Sequence, residues 1–145
     1  MFGERMGCCQ VTRCYTGGKV AEPYNAKDLV LVVEDEALIR VSSADVIRDL
    51  GFEVIEAVDA DHAVCLLETV PGITVVFTDI QMPGSMDGLL LAAVVRDRWP
   101  PIALLVTSGR MCPVSSDMPT GARFISKPYS PFELEEQLHS LTGRC

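Results

Sequence analysis

The fold is decided by residues 73–84, ITVVFTDIQMPG, in which an apolar run ends at Asp79 and a proline-glycine pair then breaks the chain. A short run without polar alternation predicts a strand that is buried in a parallel sheet. Open α/β sheets place their chemistry at the carboxyl ends of such strands. An Asp that closes a strand is often only a turn former, so Asp79 alone is a weak signal of a functional site. The signal is strengthened by charged side chains at the ends of other predicted strands.

Two further apolar runs end in charged side chains. Residues 29–33, LVLVV, precede the acidic triplet EDE at 34–36, and residues 122–126, ARFIS, precede Lys127 and a proline. Since parallel strands all point the same way, their carboxyl ends lie along one edge of the sheet. The sequence therefore predicts a single pocket at that edge, formed by Glu34, Asp35, Asp79, Thr107 and Lys127.

Short apolar strands alternate with helical patterns, which predicts an α/β fold with a doubly wound, five-stranded parallel sheet. The predicted strands are 29–33, 53–57, 73–78, 102–107 and 122–126, and the predicted helices are 36–50, 60–69, 87–98 and 130–141. Cys65 falls in a helical pattern and is interpreted as a small core residue. Residues 109–119 contain two prolines and little apolar period, so we expect an irregular or shortened fourth helix there.

The length of 145 residues suits one domain. We predict a flexible extension at 1–27, a folded domain at 28–142 and a tail at 143–145. The net charge of −8 argues against direct binding of nucleic acid, which needs a basic face. No apolar stretch has the length of a membrane span or the form of a secretory signal, so we expect a cytoplasmic location without membrane contact.

The acidic pocket predicts a metal-dependent phosphoryl site. Clustered carboxylates repel one another unless a hard divalent cation lies between them, and Mg²⁺ is the natural candidate. We expect it to be bound by Asp35, Asp79 and the backbone carbonyl of Gln81, with Glu34 acting directly or through water. Asp79 would then be the nucleophile that forms an acyl phosphate, and the Thr107 hydroxyl would donate to a phosphoryl oxygen.

Lys127 is the predicted partner of the phosphoryl group. It is the only lysine after residue 27, and the other cationic side chains of the domain are arginines. A compact ammonium therefore suits this position, although a surface lysine near a turn is the alternative. A cis bond before Pro128 would direct the lysine back into the pocket.

Together these residues resemble the receiver domain of two-component response regulators, the CheY-like family, over about residues 28–142. The matching elements are Glu34-Asp35, Asp79, Met82-Pro83, Asp87-Gly88, Thr107, Phe124 and Lys127-Pro128. The resemblance implies a flavodoxin-like sheet of order 2-1-3-4-5. It also implies that Asp79 accepts a phosphoryl group from a phosphohistidine of a sensor histidine kinase or a histidine phosphotransfer protein. Such a receiver is no enzyme beyond its own phosphorylation and dephosphorylation.

The resemblance further implies a switch in which Thr107 moves toward the phosphoryl group and Phe124 swings inward. Three positions depart from the family pattern. Ser85 lengthens the loop after the acceptor, as in receivers attached to hybrid kinases, and Phe124 lacks the hydroxyl of the common Tyr. Gly109 has no side chain to guide an attacking water, a role that Gln81 could take instead.

The partner is expected to dock at the start of the first helix, around Ile39, and at the loop that contains Tyr129. Ile39 also fits an ordinary helix core position, whereas an aromatic beside a turn stays partly exposed and can anchor an interface. Because three residues follow Thr142, we expect a stand-alone receiver, monomeric or weakly dimeric. It would be a phosphorelay shuttle, a phosphate sink or a regulator of a downstream protein.

Two other functions compete with this interpretation. A magnesium-dependent phosphatase of the haloacid dehalogenase type would carry a second Asp two residues after the nucleophile, where this chain has Gln81. A flavodoxin-like cofactor-binding module needs amides and hydroxyls after the first strand to hold a phosphate. The acidic triplet 34–36 would repel that ligand.

Overall fold

A computed structural model describes residues 28–110, 113 and 115–143 of the chain. Its strands are β1 (Leu29–Val33), β2 (Glu53–Ala57), β3 (Ile73–Asp79), β4 (Ala103–Ser108) and β5 (Arg123–Ser126), and its α-helices are α1 (Ala37–Asp49), α2 (Ala60–Thr69), α3 (Gly88–Arg98) and α4 (Pro131–Thr142). None of these helices has the length and apolar character required to cross a bilayer. The predicted extension 1–27 and residues 144–145 lie outside the described residues.

The strands form one parallel sheet in the order β2-β1-β3-β4-β5, which confirms the predicted doubly wound topology. β3 pairs with β1 and β4, so Asp79 lies directly beside Thr107. The ladder continues past the strand ends, because the Ile80 N–H donates to the Thr107 carbonyl at 2.9 Å. In the same way the Lys127 N–H donates to the Ser108 carbonyl at 3.0 Å. These bonds fix the residues that follow each strand at one edge.

Alternate residues of the buried strands pack into two cores, one on each face of the sheet. Val30 and Val32 pack on the face covered by α1 and α4, where Ile47 and Leu134 are buried. The intervening residues Leu31 and Val33 face α2 and α3 in a second core, with Ala63, Leu67, Leu91 and Val95. Burial of both faces explains why the strands read as apolar runs without polar alternation.

Three helices start at side-chain caps that the sequence supplies. Asp59 and Asp87 accept hydrogen bonds from the backbone N–H groups of His62 and Leu90, at the starts of α2 and α3. Ser130 caps α4 through the Glu133 N–H, with a proline at the first helical position. The bond between Lys127 and Pro128 is cis.

The fourth connection agrees with the prediction of a shortened helix. Among its described residues, the only helix is a three-residue 3₁₀ turn, Ser115–Asp117.

The prediction for Cys65 is wrong, because this thiol is exposed. The buried positions of α2 are Ala60, Ala63 and Leu67, a spacing of three and four residues that places Cys65 on the opposite side of the helix.

Candidate functional site

Three carboxylates converge at the carboxyl ends of β1 and β3. One carboxylate oxygen from each of Glu34, Asp35 and Asp79 lies within 4.8 Å of the other two. Glu34 and Asp79 are buried, whereas Asp35 is exposed to solvent. The Glu34 N–H donates to the Ala57 carbonyl at 3.1 Å, which continues the β1–β2 ladder and holds Glu34 at the sheet edge. The predicted acidic cluster is therefore set by the register of the sheet.

Lys127 completes the cluster from the end of β5. Its Nζ donates to Glu34 Oε1 and to Asp79 Oδ2, each at 3.2 Å. Burial alone would lower the pKa of the Lys127 ammonium, but the charges of Asp79 and Glu34 outweigh burial and raise it above its ordinary value. Lys127 is therefore a permanent cation at neutral pH, placed between two carboxylates.

The cluster carries more negative charge than this lysine balances. Burial raises the pKa of the Glu34 carboxyl, and the charge of Asp79 raises it further. The Glu36 N–H, 3.2 Å from Glu34 Oε2, and the ammonium of Lys127 lower this pKa without reversing the shift. The Arg40 guanidinium is directed to the Glu34 backbone oxygen, at 3.0 Å, instead of to the carboxylates of the cluster. A further cation would therefore stabilise the site.

Two polar atoms at the cluster have no partner. Among the described residues, three buried side-chain atoms lack a hydrogen bond, namely Asp79 Oδ1, Thr107 Oγ1 and Arg96 Nε. The first two belong to neighbouring residues in the β3–β4 ladder. Leaving a buried polar atom unsatisfied costs about 1 to 3 kcal/mol, so two such atoms on paired residues of neighbouring strands indicate a place for an incoming group.

The residues present fit a magnesium ion. Mg²⁺ prefers oxygen ligands and is usually held by one or two carboxylates together with water. Asp35 and Asp79 would supply those carboxylates, with Glu34 beside them. The cluster lines a cavity of about 660 Å³, and Gln81, whose backbone carbonyl is the remaining predicted ligand, is another lining residue of this cavity.

Of the predicted docking and switch residues, only Ile39 lines this cavity. Ile39 is half-buried and lines the cavity directly. Tyr129 is also half-buried, packs edge-on against Phe77 at 5.8 Å between ring centroids, and shares a hydrogen bond of 2.9 Å with Ser43 Oγ. Phe124 is half-buried on β5 and lines an adjoining groove beside α4, which shares Gly109, Arg110 and Lys127 with the acidic cavity. The pairing of β3 with β4 brings Thr107 to Asp79, whereas Phe124 does not line the acidic cavity.

Two contacts at the site were not predicted. Ser108 Oγ donates to Gln81 Oε1 at 2.7 Å, which joins the end of β4 to the loop after β3. At Gly88 the helix α3 passes so close to the Asp79 carbonyl that a Cβ would overlap it. A hydroxyl at the end of a buried strand was the available signal for the first contact. For the second, the available signal was the Asp87-Gly88 pair that matches the family pattern, although the pair does not show what Gly88 approaches.

The comparisons with known proteins agree with this geometry. The family model of the response regulator receiver domain matches residues 30–139. The chain is 35% identical to the phosphate regulon transcriptional regulatory protein PhoB of Klebsiella pneumoniae over 120 residues, which are 79% of this chain and 52% of PhoB. It is 32% identical to the probable transcriptional regulator ycf27 of Porphyra purpurea over 124 residues, 83% of this chain and 50% of that protein. The chain thus spans about half the length of these relatives.

A solved structure gives the same result. The receiver domain of the hybrid histidine kinase CckA is 30% identical, with a TM-score of 0.65 over 78% of this chain and 97% of that one. The family match covers all five strands except for the first residue of β1, and it includes every residue of the acidic cluster. The chain therefore belongs to the response regulator receiver domain family of two-component systems.

Proposed function

We propose that Asp79 accepts a phosphoryl group from a phosphohistidine on a sensor histidine kinase or a histidine phosphotransfer protein. The observation that carries the proposal is Asp79 Oδ1, a buried carboxylate oxygen without a partner among the described residues. Its companion oxygen is held by Lys127. One oxygen is therefore fixed by a cation, and the other is left to act as the nucleophile.

The chain's own residues supply most of what the transfer needs. Asp79 Oδ1 would form a bond to phosphorus while the bond between phosphorus and the histidine nitrogen breaks, with its electron pair returning to the imidazole. Lys127 would neutralise charge on the phosphoryl oxygens, and the unpartnered Thr107 hydroxyl would donate to one of them. Bound Mg²⁺ would add charge neutralisation for the phosphoryl oxygens.

Magnesium is expected to stabilise the folded protein. It would relieve the repulsion between Asp79 and Glu34, which adds to the effect of burial in raising the pKa of Glu34, and would bind the native site but not the unfolded chain. At an ion concentration well above Kd, stabilisation of about 1 to 3 kcal/mol is expected, which raises the melting midpoint by about 5 °C. Thermal unfolding with EDTA and with added Mg²⁺ measures the shift.

Two variants control this measurement. Asp35→Asn removes a proposed ligand and should lose most of the magnesium-dependent shift. Asp49→Asn removes an exposed carboxylate at the end of α1, outside the cluster, and should keep the shift. An equal shift in all three proteins would mean that the ion acts on overall charge, and the proposed site would be wrong.

We propose that the phosphohistidine partner docks on a groove of about 770 Å³ beside the acceptor site. The groove is formed by α1 and the loop before α4, and its lining includes Leu38, Ile39, Val46, Pro128, Tyr129 and Pro131. Leu38 is 81% exposed, an unusual position for a large apolar side chain. An apolar helix face fits this lining. Since Ile39 also lines the acidic cavity, a helix seated there would bring its histidine toward Asp79.

Truncation of the groove is expected to slow transfer without affecting the acceptor chemistry. Ile39→Ala and Tyr129→Ala should each reduce the rate of transfer from a phosphorylated histidine phosphotransfer protein by about tenfold, the effect of a moderate interface anchor. Tyr129→Phe keeps the ring and loses only the bond to Ser43, so it should transfer at close to the wild-type rate. Phosphorylation by acetyl phosphate, which needs no docking, should be unchanged in all three variants. Unchanged protein-to-protein transfer in both alanine variants would place docking elsewhere.

We further propose that the receiver acts in the cytoplasm by protein contacts, as a phosphorelay shuttle, a phosphate sink or a direct regulator. The proposed acceptor residues all lie within the family match at residues 30–139. The only helix in the described part of the fourth connection is a single 3₁₀ turn, a small surface for dimerisation, so we expect a monomer or a weak dimer. The net charge of −8 favours output to a protein over direct contact with nucleic acid.

We also propose that the chain catalyses only its own phosphorylation and dephosphorylation. A phosphatase for small phosphoesters would need a second acid near the nucleophile to protonate the leaving alcohol. Gln81 occupies that position, and its amide oxygen is bonded to Ser108. A phosphohistidine donor has a different leaving group, an imidazole nitrogen, which accepts a proton readily from water.

A further inference from the structure

We propose that Ser108 is a positioning residue that restrains Gln81 and thereby prolongs the phosphorylated state. The inference rests on the function proposed for Asp79. Hydrolysis of that acyl phosphate requires a water oxygen to attack phosphorus while the bond between phosphorus and the Asp79 carboxylate breaks. The products are the free carboxylate, inorganic phosphate that keeps one proton of the water, and a second proton released to solvent.

The contact that carries the inference is a short hydrogen bond across the site. Ser108 is 1% exposed at the end of β4, and its Oγ donates to Gln81 Oε1 at 2.7 Å. The Arg110 N–H donates to the same Oγ at 3.1 Å. Because the serine oxygen accepts from the backbone, its own proton is directed to the glutamine, which fixes the direction of the bond.

Gln81 is placed to influence an attacking water. It lies two residues after Asp79, is half-buried, and lines the same cavity as the acceptor carboxylate. Residue 109 also lines that cavity, but it is a glycine and offers no side chain to the water. The side chain of Gln81 can therefore orient the attacking water.

The hydrogen bond from Ser108 determines which atom of the Gln81 side chain is available to the attacking water. A water attacks with an oxygen lone pair, so the group that orients it must accept one of its hydrogens. The amide oxygen is the only acceptor of a glutamine side chain, and Ser108 holds that oxygen against the end of β4. The amide nitrogen can only donate, so it cannot accept a hydrogen from the water and make the water oxygen more nucleophilic. Releasing the oxygen from Ser108 would therefore favour hydrolysis.

The test measures the lifetime of the phosphorylated protein. Wild type, Ser108→Ala, Gln81→Leu and the double variant are phosphorylated with acetyl phosphate and Mg²⁺, desalted, and followed by intact mass. Ser108→Ala should lose its phosphoryl group about fivefold faster than wild type, the effect of one neutral hydrogen bond. In the Gln81→Leu background the same serine substitution should have no effect. Ser108→Thr, which keeps the hydroxyl, should restore a slow loss.

The outcomes separate this inference from the proposed function. An unchanged or slower loss in Ser108→Ala, or an equal acceleration in the Gln81→Leu background, would overturn the restraint by Ser108 and leave the acceptor assignment intact. A general loosening of the site would accelerate hydrolysis in both backgrounds and would also count against it. If wild type itself gains no phosphoryl mass, the function proposed for Asp79 fails, and this inference fails with it.

Discussion

Asp79→Asn is expected to abolish phosphorylation by acetyl phosphate, with no residual modification above the detection limit. The acceptor must be an ionised oxygen, and an amide has no charged oxygen that can form a stable bond to phosphorus. The substitution keeps the size of the side chain and leaves the β3–β4 register in place. Intact mass after incubation with acetyl phosphate and Mg²⁺ measures the loss, and a far-ultraviolet circular dichroism spectrum checks that the fold is retained.

Asp35→Asn is the matched control for the nucleophile. Asp35 belongs to the same acidic cluster, but it is exposed and follows β1 instead of ending a buried strand. Its variant should still gain one phosphoryl group, more slowly, because only metal binding is weakened. If Asp79→Asn gained one phosphoryl mass and Asp35→Asn gained none, Asp35 would be the acceptor and the assignment would be reversed.

The second large effect is expected at Gly88, where substitution by Ala should destabilise the whole domain. A Cβ at Gly88 would overlap the Asp79 carbonyl oxygen and lie 2.7 Å from the Asp79 carbonyl carbon and 2.9 Å from Ile80 Cα. These are backbone atoms, and the Gly88 N–H donates to the Ile80 carbonyl at 2.9 Å, so α3 cannot move away without losing that bond. A cost of about 3 kcal/mol or more is expected, at the upper end for overpacking.

Thermal unfolding of Gly88→Ala should show a midpoint lower by about 10 °C or more for a domain of this size. Gly109→Ala is the matched control, because its Cβ would lie 3.6 Å from Lys127 Cβ, an ordinary contact. Its midpoint should change by less than about 2 °C, as for most surface substitutions. A Gly88→Ala variant as stable as the Gly109→Ala variant would contradict the close approach of α3 to the acceptor strand.

The sheet and the acidic cluster could be predicted because their signals are local. Burial on both faces makes each central strand an apolar run, and the parallel direction brings the residues after every strand to one edge. The sequence therefore predicts that Asp79, Glu34 and Lys127 meet, and the structure places the lysine 3.2 Å from both carboxylates. The shortened helix in the described part of the fourth connection could also be predicted from a local signal, since two prolines break the helical pattern.

Features that depend on packing between distant segments could not be predicted in the same way. The side of α2 that faces the sheet is set by packing against its neighbours. The apolar character of Cys65 predicted that this residue faces the core, whereas it is exposed. The partner of Ser108 is a residue 27 positions earlier, and only the strand register brings the two together. The half-buried state of Phe124, away from the acceptor cavity, likewise follows from packing on β5. A single sequence does not show which distant residue such a side chain will contact.

The acceptor is tested most directly by locating the phosphoryl group in the wild-type protein. After incubation with acetyl phosphate and Mg²⁺, borohydride reduces an acyl phosphate to a primary alcohol, which converts a phosphorylated Asp into homoserine. Tandem mass spectrometry of the digested protein should find homoserine at position 79 alone, and none when Mg²⁺ is replaced by EDTA. Homoserine at position 35 in place of 79, or a phosphorylated protein that yields no reduced residue at 79, would contradict Asp79 as the phosphoryl acceptor.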